Sequence, residues 1–227
     1  MHIPDGYLGP ATSGAMYAVM LPIWALASRM VKKTLKARQV PLLAISAAFS
    51  FVIMMFNVPI PGGTTGHAVG AVLAAILLGP WAACIAVTVA LVVQALLFGD
   101  GGITAIGANC FNMAFVEVFA GYYLYKLISG KSSAASGRRV VAAGIAGYLA
   151  LNIAAFTAAL LFGIQPLLYK TAGGQTLYCP YGLNVTIPMM LGEHLLVFGW
   201  VEALITALVV KYLQKQDPAL IASGKEG

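Results

Sequence analysis

Charged side chains are scarce in this 227-residue chain. Only 9% of the residues are Asp, Glu, Lys or Arg, whereas 60% are hydrophobic. Soluble domains carry about 25% charged residues, so the composition argues against a soluble domain and predicts an integral membrane protein. The net charge of +6 does not indicate a nucleic-acid partner, because the basic residues form no dense patch interleaved with aromatic residues.

Cysteine is equally scarce, and the common catalytic motifs are missing. The three cysteines, Cys84, Cys110 and Cys179, show no C-x-x-C spacing, so we expect buried thiols and no disulfide framework or thiolate metal site. Residues 1–11 contain no Lys or Arg, so we expect no signal peptide. The sequence contains no HExxH and no GxSxG. We therefore expect a protein that is not an enzyme.

The run SGKSS ends like a phosphate-binding loop but lacks its beginning. Tyr125 stands where the first glycine of G-x-x-x-x-G-K-[ST] belongs, and the preceding residues predict a helix where that loop requires a strand. Any ATP hydrolysis linked to this protein is therefore expected on separate partner subunits.

Long apolar runs dominate the chain. A spanning helix needs about 20 mostly apolar residues, and seven runs approach or exceed this length. We predict an all-α polytopic membrane protein with about seven transmembrane helices, at residues 12–30, 41–57, 65–79, 81–98, 103–127, 140–163 and 187–213. The prediction is one integral membrane domain over 1–227, with an N-terminal segment (1–11), a helical bundle (12–213) and a tail (214–227).

The distribution of Lys and Arg predicts the orientation. Twelve of the thirteen basic residues fall on one side of the predicted spans, and Lys170 falls on the other. The twelve are Arg29, Lys32, Lys33, Lys36, Arg38, Lys126, Lys131, Arg138, Arg139, Lys211, Lys215 and Lys225. We therefore expect the N-terminus outside and the C-terminus in the cytoplasm, with His2 and His67 both at the outer side.

The start of the chain, MHIPDGYLGP, offers three nitrogen donors in sequence. The Met1 amine, the deprotonated His2 amide and the His2 imidazole Nδ1 close a five-membered and a six-membered chelate ring, which the planar peptide holds nearly flat. Pro4 and Gly6 predict a turn that folds this segment back into the protein. Four nitrogens in a plane suit Ni(II) or Cu(II), and not tetrahedral Zn(II). The fourth nitrogen is left open between His67 and His194.

His67 lies in the stretch GTTGHAVG, at the outer end of the short third predicted span. An ionisable residue within a membrane is a functional candidate, although a packing role is the alternative. Thr64 and Thr65 precede it, and they are expected either to orient this loop or to cap the following helix.

Two further polar pairs lie on predicted spans. Asn109 and Asn112 share one helical face near the outer end of the fifth span, where they either orient the metal site or form hydrogen bonds between helices. His194 and Glu202 lie eight residues apart on the seventh span. They are expected to belong to a polar network inside the bundle, and a hydrogen bond between helices is the alternative.

Four stretches together carry a family resemblance. MHIPDGYLGP, GTTGHAVG, GDGGITAIGANCFNMA and HLLVFGWVEALITA resemble the NikM/CbiM substrate-binding S components of energy-coupling factor importers for nickel and cobalt. The resemblance implies that the metal is held by the Met1 amine, the His2 amide and imidazole, and the His67 imidazole. It also implies a multi-pass protein of a prokaryotic cell membrane that carries Ni(II) or Co(II) as its substrate and has no organic cofactor.

The same resemblance implies partners. These are a transmembrane coupling subunit, two ATP-binding subunits and a small accessory membrane subunit. S components of this kind present an Ala-x3-Ala surface to the coupling subunit, which corresponds here to Ala44 and Ala48, with internal helix packing as the alternative. A second small-residue pair, Ala143 and Gly147, is expected to serve internal packing.

The expected function is therefore metal capture for an ATP-driven importer. The alternative is a self-sufficient secondary metal-ion permease, which would need a line of ionisable residues across the membrane. Glu117 and Glu202 alone make only a sparse line.

Overall fold

The computed structural model describes residues 1–223. Residues 224–227 of the predicted tail, with Lys225, lie outside the described residues. The described chain is mostly helical and has very little strand, which confirms the predicted all-α fold. Its α-helices are α1 (Pro10–Thr34), α2 (Val40–Met54), α3 (Ala71–Leu78), α4 (Pro80–Val93), α5 (Ile106–Asn109), α6 (Val118–Ser129), α7 (Gly137–Gly163), α8 (Gln165–Leu168), α9 (Leu183–Glu193), α10 (Gly199–Gln216) and α11 (Pro218–Ser223), and a short 3-10 helix covers Ala37–Gln39.

Three π-helical segments extend or join these helices. Gln94–Phe98 continues α4, Cys110–Glu117 joins α5 to α6, and His194–Phe198 joins α9 to α10. Each segment contains at least one fully buried polar residue. These residues are Gln94, Asn112, Glu117 and His194. Segments of this kind frequently occur at functional sites, so their polar residues are candidates for a functional role.

The third predicted span begins later than the sequence suggests. Thr65–Gly66 forms a short antiparallel strand (β2) with Val58–Pro59 (β1), and α3 begins only at Ala71. Gly70 lies between them with a φ of 72°, a left-handed conformation that suits glycine and precedes the helix. The prediction of helix over 65–79 is therefore wrong at its start, because backbone pairing and a turn occupy the residues around His67.

Five helical regions are long and apolar enough to cross a membrane. They are Pro10–Thr34, Ala37–Met54, Pro80–Phe98, Gly137–Leu168 and Leu183–Gln216. The predicted spans at 65–79 and 103–127 are not among these five, which were sought within residues 1–223. The first contains only the eight-residue helix α3, and the second contains a continuous helical run, 106–129, that includes Asn109, Asn112 and Glu117.

Helix α7 packs against α6, α9 and α10, and small residues allow these neighbours to approach closely. Ala143 is fully buried, and a Cβ added at Gly147 would lie 3.4 Å from the carbonyl oxygen of Glu202 on α10. This small-residue pair therefore packs internally. Ala44 and Ala48 of α2 are instead exposed on the surface of the bundle.

The last described helix, α11, lies within the predicted tail. Its Ile221 is only 2% exposed and belongs to the apolar cluster that includes Val72, Ile76 and Tyr125. The tail up to residue 223 is therefore helical and packs against the bundle.

Candidate metal centre

The first three residues are buried inside the protein. Met1 and Ile3 are fully buried, and His2 is only 3% exposed. The chain then turns, with Gly6 at a φ of 82° and the Tyr7 N–H donating to the Pro4 carbonyl. This conformation places the Met1 amine and the His2 imidazole within the bundle, as the predicted turn requires.

Asn109 holds the N-terminal segment through its backbone. Its Oδ1 accepts the Ile3 N–H at 2.8 Å, and its Nδ2 donates to the Ile3 carbonyl at 3.1 Å. The same carbonyl accepts the Gly102 N–H at 2.9 Å. Of the two roles considered for Asn109, the structure therefore favours positioning of the N-terminal segment.

The glycines of the GDGG turn allow this close contact. A Cβ added at Gly102 would lie only 2.3 Å from the Asp5 nitrogen, so a side chain there would displace the N-terminal segment. The Asp5 carboxylate accepts hydrogen bonds from the backbone N–H groups of Ile103 and Thr104 just beyond the turn. These hydrogen bonds hold the pKa of Asp5 below its usual value, and the Thr104 side chain is the largest contributor.

The His2 imidazole leaves its Nδ1 without a hydrogen bond. Its Nε2 lies 3.1 Å from Oε1 of Gln94, whose amide group donates from Nε2 to the Phe51 carbonyl. Because an amide oxygen can only accept, the Nε2 of His2 carries the proton and Nδ1 presents a lone pair. That nitrogen is the one that a six-membered chelate ring with the His2 amide requires.

His67 also presents a free nitrogen. Its Nδ1 lies 3.1 Å from the Ala68 carbonyl oxygen, to which it donates, and its fully buried Nε2 has no hydrogen-bond partner. The centroids of the His2 and His67 rings are 4.5 Å apart. The structure therefore brings together the two histidines that stand 65 positions apart in the sequence.

The Met1 amine reaches the same region. It donates to the carbonyl oxygen of Thr65 and lies 3.2 Å from the Thr65 hydroxyl. Burial lowers the pKa of the amine to about 4. Burial, followed by the charge of the amine, lowers the pKa of His2 to about 3. Burial therefore favours the neutral forms of both groups, which carry the lone pairs that a metal needs.

A conventional cluster of ligand side chains is not present in residues 1–223, where His, Cys, Asp and Glu do not gather in groups of three suited to a metal. The three cysteines are free and buried. A metal at this place would therefore need backbone nitrogen as well as imidazole, which matches the chemistry of the Met-His start.

The other predicted residues occupy varied positions. The Glu202 carboxylate accepts the N–H groups of Val69 and Gly70 ahead of α3, while His194 contacts the Met190 carbonyl through Nδ1 at 2.7 Å. These hydrogen bonds do not join the two side chains, and the predicted polar network stays a prediction. Glu202 binds the backbone just ahead of α3, whose N-cap residue is Gly70.

The described contacts give Thr64 and Asn112 no role in holding the centre, so their predicted role stays a prediction. The Thr64 hydroxyl and both amide atoms of Asn112 are buried without a hydrogen-bond partner. Thr65, in contrast, contacts the amine directly.

Sequence reasoning did not include Gln94 or Asp100. Gln94 is a lone amide in the apolar run LVVQALLFG, and this isolation is the signal that could have identified it. Asp100 lies in the GDGG turn with Oδ1 3.6 Å from Nδ1 of His2, which is too long for a hydrogen bond.

Comparison with known proteins gives a consistent result. A family model described as the cobalt uptake substrate-specific transmembrane region matches residues 2–220. A fused nickel transport protein of Rhodobacter capsulatus is 51% identical over 98% of this chain and 64% of its own length. A probable fused nickel transport protein of Lactiplantibacillus plantarum is 52% identical over 96% of this chain and 66% of its own length. The chain thus spans about two thirds of these relatives.

Shorter relatives and solved structures match along most of their length. A putative metal transport protein of Methanocaldococcus jannaschii is 47% identical over 100% of this chain and 97% of its own. The crystal structure of a truncated transition metal transporter superposes with a TM-score of 0.91 at 55% identity, and covers 95% of this chain and 99% of that one. The chain is therefore a multi-pass membrane protein and belongs to the family of cobalt uptake substrate-specific transmembrane regions.

Proposed function

We propose that this protein captures Ni(II), or Co(II), as a transport substrate in a planar site of four nitrogens. The observation that carries the proposal is the geometry around the buried N-terminus. The His2 and His67 rings lie 4.5 Å apart between their centroids, His2 Nδ1 and His67 Nε2 have no hydrogen-bond partner, and the Met1 amine donates to Thr65, two residues before His67. With the His2 amide they make the donor set Met1, His2 and His67.

The hydrogen bonds around these groups favour metal binding over simple packing. Gln94 forms a hydrogen bond with Nε2 of His2, and the Ala68 carbonyl forms one with Nδ1 of His67. In each ring this leaves the other nitrogen available to the metal. Such outer hydrogen bonds fix the tautomer and the orientation of ligand imidazoles. A neutral amine can still donate a hydrogen to the Thr65 carbonyl while its lone pair binds the ion.

The choice of metal follows from the donors. Divalent affinity rises from Co(II) to Ni(II) to Cu(II), and a planar tetragonal nitrogen set suits Ni(II) better than Co(II). The printed names of the relatives from Rhodobacter capsulatus and Lactiplantibacillus plantarum mention nickel. We infer that nickel is the preferred substrate and that copper is kept away by its low availability.

We further propose that the protein delivers the metal to an ATP-driven complex. The partners would be a transmembrane coupling subunit, two ATP-binding subunits and a small accessory membrane subunit. The site would face the outer side of a prokaryotic cell membrane, with the basic clusters in the cytoplasm. The exposed pair Ala44 and Ala48 supports α2 as the surface that meets the coupling subunit.

Nickel titration of the purified protein tests the site. His2→Ala should abolish high-affinity binding, and His67→Ala should weaken it less, because water can fill one corner of the plane. His194→Ala removes the remaining histidine and is the matched control, which we expect to retain tight binding. A larger loss with His194→Ala than with His67→Ala would assign the fourth nitrogen to His194.

Uptake into vesicles tests the mechanism of transport. We expect nickel uptake only when the coupling subunit, the ATP-binding subunits and ATP are present. Uptake by the protein alone would instead support a self-sufficient secondary permease. Sequencing of the mature N-terminus checks the required free Met1 amine.

A further inference from the structure

Asp100 lies at the edge of the metal centre, and the donor set does not include it. Its side chain is 18% exposed, whereas the side chain of His2 beside it is only 2% exposed. Oδ1 of Asp100 lies 3.6 Å from Nδ1 of His2, the nitrogen proposed above as a ligand. This carboxylate is therefore a charged group directly beside a proposed ligand nitrogen.

The chain holds this carboxylate in place. Gly99 and Gly101 flank it with φ of 66° and 83°, conformations that glycine adopts readily. The Asp100 N–H donates to the Gln94 carbonyl at 3.2 Å, and Oδ2 accepts from Nδ2 of Asn57 at 3.1 Å. Oδ2 is therefore occupied, and Oδ1 is the oxygen nearer the imidazole.

The charge of the proposed complex requires a partner. The amine and two imidazoles bind as neutral groups, and the deprotonated His2 amide carries one negative charge. A bound divalent ion therefore leaves the complex with one net positive charge. An unpaired charge is costly in a buried site, so a nearby anion should strengthen binding considerably.

Other carboxyl groups are less well placed. Glu202 already accepts the backbone N–H groups of Val69 and Gly70. Asp100 is the carboxyl group with a described close contact to the His2 imidazole.

We propose that the Asp100 carboxylate is the counter-charge of the captured metal. It lies outside the four nitrogens, and in its carboxylate form it makes the complex of metal, amide and carboxylate electrically neutral. This inference rests on the proposed function, because the charge it balances belongs to the four-nitrogen complex. It predicts that Asp100 sets the affinity for divalent ions without entering the ligand field.

The test compares Asp100→Asn with the wild-type protein in nickel titrations. An Asn side chain has nearly the same shape as Asp and can still accept the hydrogen bond from Asn57, but it carries no negative charge. Loss of a group that supports a metal ligand typically costs 10–100-fold in affinity, and we expect a decrease of about this size. The absorption spectrum of bound nickel should not change, and Asp100→Glu should recover part of the affinity.

Glu193→Gln is the matched control, since Oε1 of Glu193 lies 2.6 Å from the position of a Cβ added at Gly66, next to His67, but Glu193 has no described contact with His2. We expect it to weaken binding less than Asp100→Asn. Equal losses, or wild-type affinity in Asp100→Asn, would overturn the inference. A changed spectrum in Asp100→Asn would also overturn it, because Asp100 would then be a ligand.

These outcomes are separate from failure of the proposed function. If the wild-type protein shows no four-nitrogen nickel spectrum, or if His2→Ala binds nickel normally, the metal site itself is wrong. If both of those results are as expected and only Asp100→Asn behaves like wild type, the counter-charge alone is wrong.

Discussion

Asn109→Ala should release the N-terminal segment from the bundle. The Asn109 side chain is 2% exposed and forms two hydrogen bonds with Ile3. Without this side chain, the Ile3 carbonyl still accepts the hydrogen bond from the Gly102 N–H, but the Ile3 N–H no longer has a hydrogen-bond acceptor. A buried unsatisfied donor costs about 1–3 kcal/mol. The docking equilibrium of the segment should therefore shift about 5–150-fold towards the undocked form.

Chemical labelling of the Met1 amine measures this shift directly. The amine is protected while the segment is docked, so its labelling rate reports the undocked population when docking is fast. We expect Asn109→Ala to raise the rate by that factor. Nickel affinity should fall once the undocked form predominates.

Asn112→Ala is the matched control for this experiment. Asn112 is also buried on the same helical run, but its amide atoms have no hydrogen-bond partner among the described residues. We expect the Met1 amine in Asn112→Ala to be labelled at a rate near that of the wild-type protein. An unchanged rate in Asn109→Ala, or an equal rise in both variants, would refute the role assigned to Asn109.

Three further predictions concern the turn, the outer surface and the chelate. Gly102→Ala should weaken nickel binding in titrations, because its Cβ would clash with the Asp5 nitrogen; wild-type affinity would show that the turn can move aside. Ala44→Leu and Ala48→Leu should leave nickel affinity intact but reduce co-purification of the coupling subunit, and normal recovery would place the docking surface elsewhere. Nickel binding should release protons from the His2 amide, so the calorimetric enthalpy should depend on the ionisation enthalpy of the buffer. An enthalpy that is the same in all buffers would count against amide ligation.

Local chemistry made parts of the fold and the site predictable. Apolar runs indicate helices because the length and composition of a span are visible in sequence. The Met-His start indicates three donors because ring size depends only on neighbouring atoms. The turn at Pro4 and Gly6 is local in the same sense.

Long-range contacts were not predictable from these patterns. The pairing of Val58–Pro59 with Thr65–Gly66 replaced the expected start of the third helix, because backbone partners across a loop leave little periodicity. Gln94 interacts with His2 across 92 positions, and Asn109 interacts with Ile3 across 106. Only the folded chain shows which polar residue in an apolar run meets the N-terminus.

The most direct test of the central claim is to block the Met1 amine. Nickel titration followed by absorption spectroscopy would compare protein with a free Met1 amine and protein in which residues remain fused ahead of Met1. We expect a square-planar nickel spectrum and tight binding for the free amine, and loss of both for the fused form. Equal affinity and the same spectrum in the two forms would contradict the N-terminal chelate.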